Sequence, residues 1–191
     1  MARELRTAVV MLLLLTLVTG VIYPLLVTGA AQLIFPHQAG GSLIEVDGRA
    51  VGSELLGQSF TGERYFHGRP SATGPMPYNG LGGAGSNLGP TNPALQTAVA
   101  DRLSEYRRDV GDPAARSPVD AVTTSGSSLD PHISPAFALA QVARVAKARS
   151  LSDSEVRMLV ERHIEGRTLG ILGVPRVNVL KLNLVLDALH P

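Results

Sequence analysis

From Thr7 to Pro36 the chain carries no charged residue, and Ala8 to Val27 reads AVVMLLLLTLVTGVIYPLLV. About 20 apolar residues at ~1.5 Å rise match the thickness of a bilayer core. The pattern predicts one transmembrane helix over residues 7–35 with a short tail, 1–6, before it. Arg3 and Arg6 lie just ahead of the span, and the next Lys or Arg after it is Arg49. Basic residues stay on the cytoplasmic side, so the tail is expected inside and residues 36–191 outside. Tyr23 and Phe35 suit the outer interface. Thr16, Thr19, Gly20 and Thr28 suit close helix packing in lipid. Gly20 and Pro24 are tolerated there if neighbouring helices satisfy the freed backbone groups. A cleaved signal peptide ending near Thr28-Gly29-Ala30 is the competing reading. The apolar run is longer than the ~7–15 residues of a signal h-region, which favours the anchor.

Beyond the span the periodicity changes. Ser42 to Val46, then Asp47-Gly48, then Arg49 to Val51 has the form of a hairpin, because Asp-Gly supplies a two-residue turn. Ser59 to Phe66 reads as a further strand-like piece. Gly68 to Pro90 is a long Gly/Pro-rich loop, long enough to be functional or mobile. Asn92 with Pro93 opens a helix. Leu95, Val99, Leu103, Tyr106 and Val110 form its apolar face, and Gly111 stops it. Val119 to Thr124 reads as a short strand. Ser134-Pro135 opens a second helix carrying Leu139, Val142 and Ala146. Ser152 and Glu155 make a capping box, with Leu151 placed to staple onto Val156. Val156, Leu159, Val160 and Ile164 form the buried stripe of that third helix, ended by Gly166. Arg176 to Val179 reads as a strand entering a helix with Leu182, Val185, Leu186 and Leu189 on one side. The expectation is an α+β fold: one N-terminal transmembrane helix followed by a single mixed α+β extracytoplasmic domain.

Composition and charge remove several functions. The net charge is +1 with acids and bases mixed, without the basic face of a nucleic-acid binder. There are no cysteines, so disulfides, cysteine zinc sites and a cysteine nucleophile are excluded together. None of His37, His67, His132, His163 and His190 pairs with another at metal-ligand spacing, and no metal site is expected. Gly80-Leu81-Gly82-Gly83-Ala84-Gly85 matches G-x-G-x-x-G by letter, but prolines surround it and no helix N-terminus follows, so it reads as a structural loop. Asp130, His132 and Ser134, with Ser125 or Ser127, suggest a hydrolase triad. No G-x-S-x-G elbow accompanies them, and turn and cap chemistry explains them better. Arg144, Lys147 and Arg149 suit the dipole at a helix C-terminus. Gln141, by composition, is an ordinary surface glutamine.

The order of motifs resembles one family over nearly the whole chain: Val21-Ile22-Tyr23-Pro24-Leu25, Gly41-Ser42-Leu43-Ile44, and Val51 to Phe60. Tyr65 to Ala72, Gly85 to Pro93, Asp120 to Gly126 and Leu129 to Pro135 follow, then Gln141 to Arg149 and Gly173 to Leu180. These resemble the C subunit of the Kdp potassium-transporting P-type ATPase. The resemblance implies an accessory, non-catalytic subunit of an ATP-driven potassium importer in the cell inner membrane. Its partners would be a channel-like A subunit, an ATP-hydrolysing B subunit and membrane lipid. It further implies a catalytic chaperone that raises the B subunit's affinity for ATP, with Gln141 as the candidate to touch the nucleotide; this chain alone would bind no cofactor. That role conflicts with the arginine asymmetry, which places Gln141 outside and away from cytoplasmic ATP. The alternative is a cap or gate over the ion entrance of the A subunit, without nucleotide contact.

Overall fold

The computed structural model describes residues 1–189; His190 lies outside them. Its contacts divide the chain into two units, Met1–Val51 and Gly52 onward.

In the first unit, α1 (Ala2–Leu17), a π-turn (Val18–Ile22) and α2 (Tyr23–Ile34) run as one continuous 33-residue helix. At ~1.5 Å per residue it is about 50 Å long, more than the bilayer core requires. No residue of it is buried. The π-turn has a local cause. Pro24 has no N–H, and its ring crowds the carbonyl four residues back, at Gly20. The Tyr23 N–H reaches Val18 O instead, which is the wider i→i+5 closure. Thr19 Oγ1 donates back to Leu15 O at 2.7 Å, a bond that often bends helices. After the short α3 (Pro36–Ala39) the expected hairpin follows, with β1 (Leu43–Val46) beside β2 (Arg49–Ser53). Asp47 and Gly48 both have positive φ, 52° and 72°, the backbone of the Asp-Gly turn that its sequence predicts.

In the second unit, residues 54–92 contain only one 3₁₀ turn, Gly80–Gly82. Helix α4 (Pro93–Val110) begins where Asn92 accepts a hydrogen bond from Ala94 N–H, and it ends at Gly111 with φ 72°. Then come α5 (Val119–Val122), β3 (His132–Ile133), α6 (Pro135–Ala140), α7 (Val142–Arg149), α8 (Asp153–Arg162), β4 (Ile164–Glu165), β5 (Arg176–Asn178) and α9 (Val179–Leu189). The strands form an antiparallel sheet in the order β3-β5-β4, with Ile133 and Ile164 both opposite Val177. Phe66, Val145, Ala146, Val160, Val177, Leu182 and Leu186 are fully buried at the centre. The Tyr106 and Phe137 rings, 6.2 Å apart, join α4 to α6. Both halves of the Ser152/Glu155 capping box are formed on α8.

Four local expectations are corrected. Val119 to Val122 is a helical turn, not a strand; a short apolar run has no decisive period. Ser59 to Phe66 is not a strand: Tyr65 N–H turns back onto Gly62 O, and the carbonyls of Glu63 to Phe66 go to side chains rather than to a ladder. The third helix stops at His163, so Ile164 leaves the helical stripe and pairs in β4. The second helix is two, α6 and α7, meeting at Gln141.

Candidate functional site

The helix break places Gln141 against the 63–67 segment. Instead of lying on the surface it is 4% exposed. Its Oε1 accepts from His67 N–H at 2.7 Å and from Arg144 Nη2 at 2.7 Å. Its Nε2 donates to His67 O at 3.2 Å and to Phe137 O at 3.4 Å. Two acceptor positions and two donor hydrogens are the whole capacity of a glutamine amide, and all are used inside the domain.

Asn183 treats the preceding residue in the same way. Its Oδ1 accepts from Phe66 N–H at 2.9 Å and its Nδ2 donates to Phe66 O at 3.0 Å. Arg144 donates to Glu63 O and Tyr65 O, at 2.7 and 3.0 Å. Arg149 Nε donates to Arg64 O at 2.8 Å. Every carbonyl from Glu63 to His67 is therefore held by a side chain of α7, α9 or the α6–α7 junction. Buried backbone polar groups need partners, and here side chains replace the strand ladder.

Arg149 anchors this clamp. Its side chain is fully buried, contacts Asp187 Oδ1 at 2.6 Å and Leu186 O at 3.1 Å, and lies 5.1 Å from the centre of the Tyr65 ring. Tyr65 OH also donates to Asp187, at 3.2 Å. The sequence assigned Arg144 and Arg149 to the helix dipole; the structure adds specific carbonyl partners far along the chain.

The clamped segment forms one wall of a cleft of about 1150 Å³, facing α4 and α7. Arg69, Arg102, Arg108, Arg144 and Lys147 line it, opposed by Glu63, Glu105 and Asp109. His67 Nε2 bonds to Gly62 O at 3.1 Å, and its Nδ1 lies 3.4 Å from Asp109. Burial, followed by the nearby Arg144 charge, lowers the His67 pKa below 6.5, and Asp109 opposes both without prevailing. A hydrogen on Nε2 would serve the Gly62 carbonyl, and protonation of the ring would turn the Asp109 contact into an ion pair.

Asp130, His132 and Ser134 are placed in turn and cap roles. Asp130 Oδ1 accepts from His132 N–H at 3.0 Å and faces its Nδ1 at 3.2 Å, while Oδ2 takes Arg69 at 3.3 Å. Burial alone pushes the Asp130 carboxyl up. The His132 hydrogen bonds and the charges of His132 and Arg69 outweigh it and hold the pKa below 3.8. Ser134 Oγ caps α6 through Phe137 N–H and donates to Asp120 at 2.9 Å. Ser127 Oγ accepts from Leu129 N–H, and Ser125 Oγ is buried without a partner among the described residues. These contacts leave the imagined triad unassembled.

The Gly80–Gly85 stretch is a surface loop opened by a 3₁₀ turn, exposed from Gly80 to Ala84, with Gly83 and Gly85 lying against Leu129 and Gly126. Tyr78, whose OH donates to Arg69 O at 2.5 Å, fills the space beside Gly57 and Gly68. A Cβ at Gly57 would sit 2.4 Å from the Tyr78 ring and 2.8 Å from Asp130 O. Burial first, then Asp130, pushes the Tyr78 hydroxyl up to about 12, against the Arg69 charge. Among the described residues no group of three or more His, Asp or Glu could hold a metal ion.

One N-terminal apolar helix followed by one small α+β unit is compatible with a single-pass membrane protein. The family model described as KdpC, K⁺-transporting ATPase, c chain, matches residues 5–188. The chain is similar to the potassium-transporting ATPase KdpC subunit of Sorangium cellulosum, 63% identical over 98% of both chains. It is 58% identical to the KdpC subunit of Methylococcus capsulatus over the full length of both. The KdpC subunit of Polaromonas naphthalenivorans is 59% identical over all of this chain and 97% of its own. The chain belongs to the KdpC family of K⁺-transporting ATPase subunits.

Proposed function

We propose that this chain is an accessory subunit of an ATP-driven potassium importer, held in the inner membrane by its single helix, with its α+β domain on the extracytoplasmic face. It acts by contact with the channel-like A subunit, over the ion entrance, and supports assembly with the ATP-hydrolysing B subunit. The observation that carries this reading is a 33-residue apolar helix with none of its residues buried. Such a surface needs lipid and neighbouring helices to cover it. The saturated Gln141 amide supports action without a nucleotide at that side chain. Deleting residues 1–35 is expected to release the domain from membranes and abolish assembly and uptake. Normal K⁺ uptake by that deletion would overturn the proposal.

A specific observation favours the second reading, a catalytic chaperone that raises ATP affinity at the B subunit. Five cationic side chains line the cleft beside Gln141 against three carboxylates, a balance suited to phosphates. In the intact complex, a photoreactive ATP analogue separates the two. Labelling of the cleft would support the chaperone reading, and labelling confined to the B subunit would support contact from outside.

A further inference from the structure

The connection between β4 and β5 is a run of ten exposed residues, Gly166 to Pro175. Four of them are large and apolar: Leu169 is 85% exposed, Ile171 73%, Leu172 58% and Val174 68%. Scattered exposed aliphatics are ordinary on protein surfaces; four within six positions at one hairpin tip form a concentrated patch.

The tip is also built rather than slack. Thr168 and Leu172 exchange two backbone hydrogen bonds, at 2.9 and 3.0 Å. Gly170 N–H bonds to Arg167 O and Ile171 N–H to Thr168 O, at 3.0 and 3.3 Å. Leu169 has φ +55° and Gly170 has φ +78°. Glycine or asparagine fits a left-handed position far better than leucine. A turn selected for folding alone would not put a leucine there and then leave it in water. Strained backbone displaying an uncovered side chain is a marker of a binding element.

Charge indicates what covers it. Residues 168–175 carry no charge, and the exposed Arg167 immediately precedes them. Arg167 makes no ion pair among the described residues, whereas Arg176 at the other end is held by Glu165 at 2.9 Å. An apolar knob with one unneutralised arginine at its base complements an apolar pocket that carries a carboxylate on its rim. A lipid surface fits less well. Residues 166–175 contain no aromatic residue and a single cation, whereas interfacial anchors combine aromatics with several basic residues. Lipid also does not need a preset turn, while a protein pocket gains from one.

We infer that the Leu169–Val174 hairpin tip is a docking knob that inserts into an apolar pocket with a carboxylate on its rim, on another subunit of the K⁺-transporting ATPase. This rests on the accessory-subunit reading above. In membranes containing the full complex, a photoreactive benzoyl-phenylalanine replacing Ile171 is expected to crosslink to another subunit. The yield should fall about tenfold when Leu169→Gly and Arg167→Glu are combined with it, the scale of losing one buried anchor. Those positions lie outside the core, and glycine fits the left-handed position, so thermal melting of the chain should not fall. Crosslinking only to lipid or to a second copy of this chain, or none at all, would overturn the knob, even while the chain still co-purifies with the complex. Failure of the unsubstituted chain to co-purify would overturn the accessory-subunit reading together with it.

Discussion

The membrane helix and the 63–67 segment solve the same problem in opposite ways. Each must pair its backbone polar groups away from water. The helix does so within itself, residue by residue, and so can turn a mostly apolar surface outward between Ala8 and Val27. The 63–67 segment has no ladder and takes partners from Gln141, Arg144, Arg149 and Asn183, between 74 and 117 positions away. The first solution is local and robust to single substitutions. The second is long-range and depends on each side chain.

Removing residues 1–35 gives the largest expected effect and tests that independence. Fractionation should move the protein fully out of membranes, while residues 52 onward still melt cooperatively. Loss of the folded signal would show that the second unit depends on the first. Within the clamp, Arg149→Ala should cost about 2–3 kcal/mol, since it leaves the Arg64 and Leu186 carbonyls without their guanidinium partner, while the half-exposed Asp187 keeps Tyr65 OH. Chemical denaturation measures this. Arg149→Lys should recover little, because one ammonium cannot match the guanidinium fork. Gln141→Ala should cost about 2 kcal/mol by orphaning His67 N–H and O. A loss below about 0.5 kcal/mol would mean that the clamp matters less than its geometry suggests. Ser152→Ala, which removes the α8 cap, should cost about 1 kcal/mol.

The smallest expected effect is one of pH. Because the folded His67 pKa lies below 6.5, the unfolded chain binds the proton more readily. Stability is therefore fully present above pH 6.5 and declines as pH falls below it. The depressed Asp130 carboxyl adds a second decline below pH 3.8. Urea midpoints across this range should show two steps, and His67→Gln should remove only the upper one.

The same contrast explains what could be read from residues alone. The apolar span, the Asp47-Gly48 turn, the Asn92-Pro93 start and the Ser152/Glu155 box are local features, and each forms as its neighbours dictate. β3 and β4 have two residues each, too few for alternation to register. Val119 to Val122, with four residues, is also short, and the structure makes it helical. Gln141 looked like a surface residue because its covering segment lies 74 positions earlier. Nothing in Leu139-Ala140-Gln141 announces that contact. The local signal available was weak: a polar residue among apolar neighbours near the middle of an expected helix. The basic cleft was equally hidden, since its cations come from separate segments.

The most direct test of the extracytoplasmic placement uses the absence of natural cysteines. A Leu81→Cys variant puts one thiol at a position 101% exposed. A membrane-impermeant maleimide applied to intact spheroplasts should label it to the same extent as after lysis. Labelling that appears only once the bilayer is opened would place the domain in the cytoplasm and contradict the account.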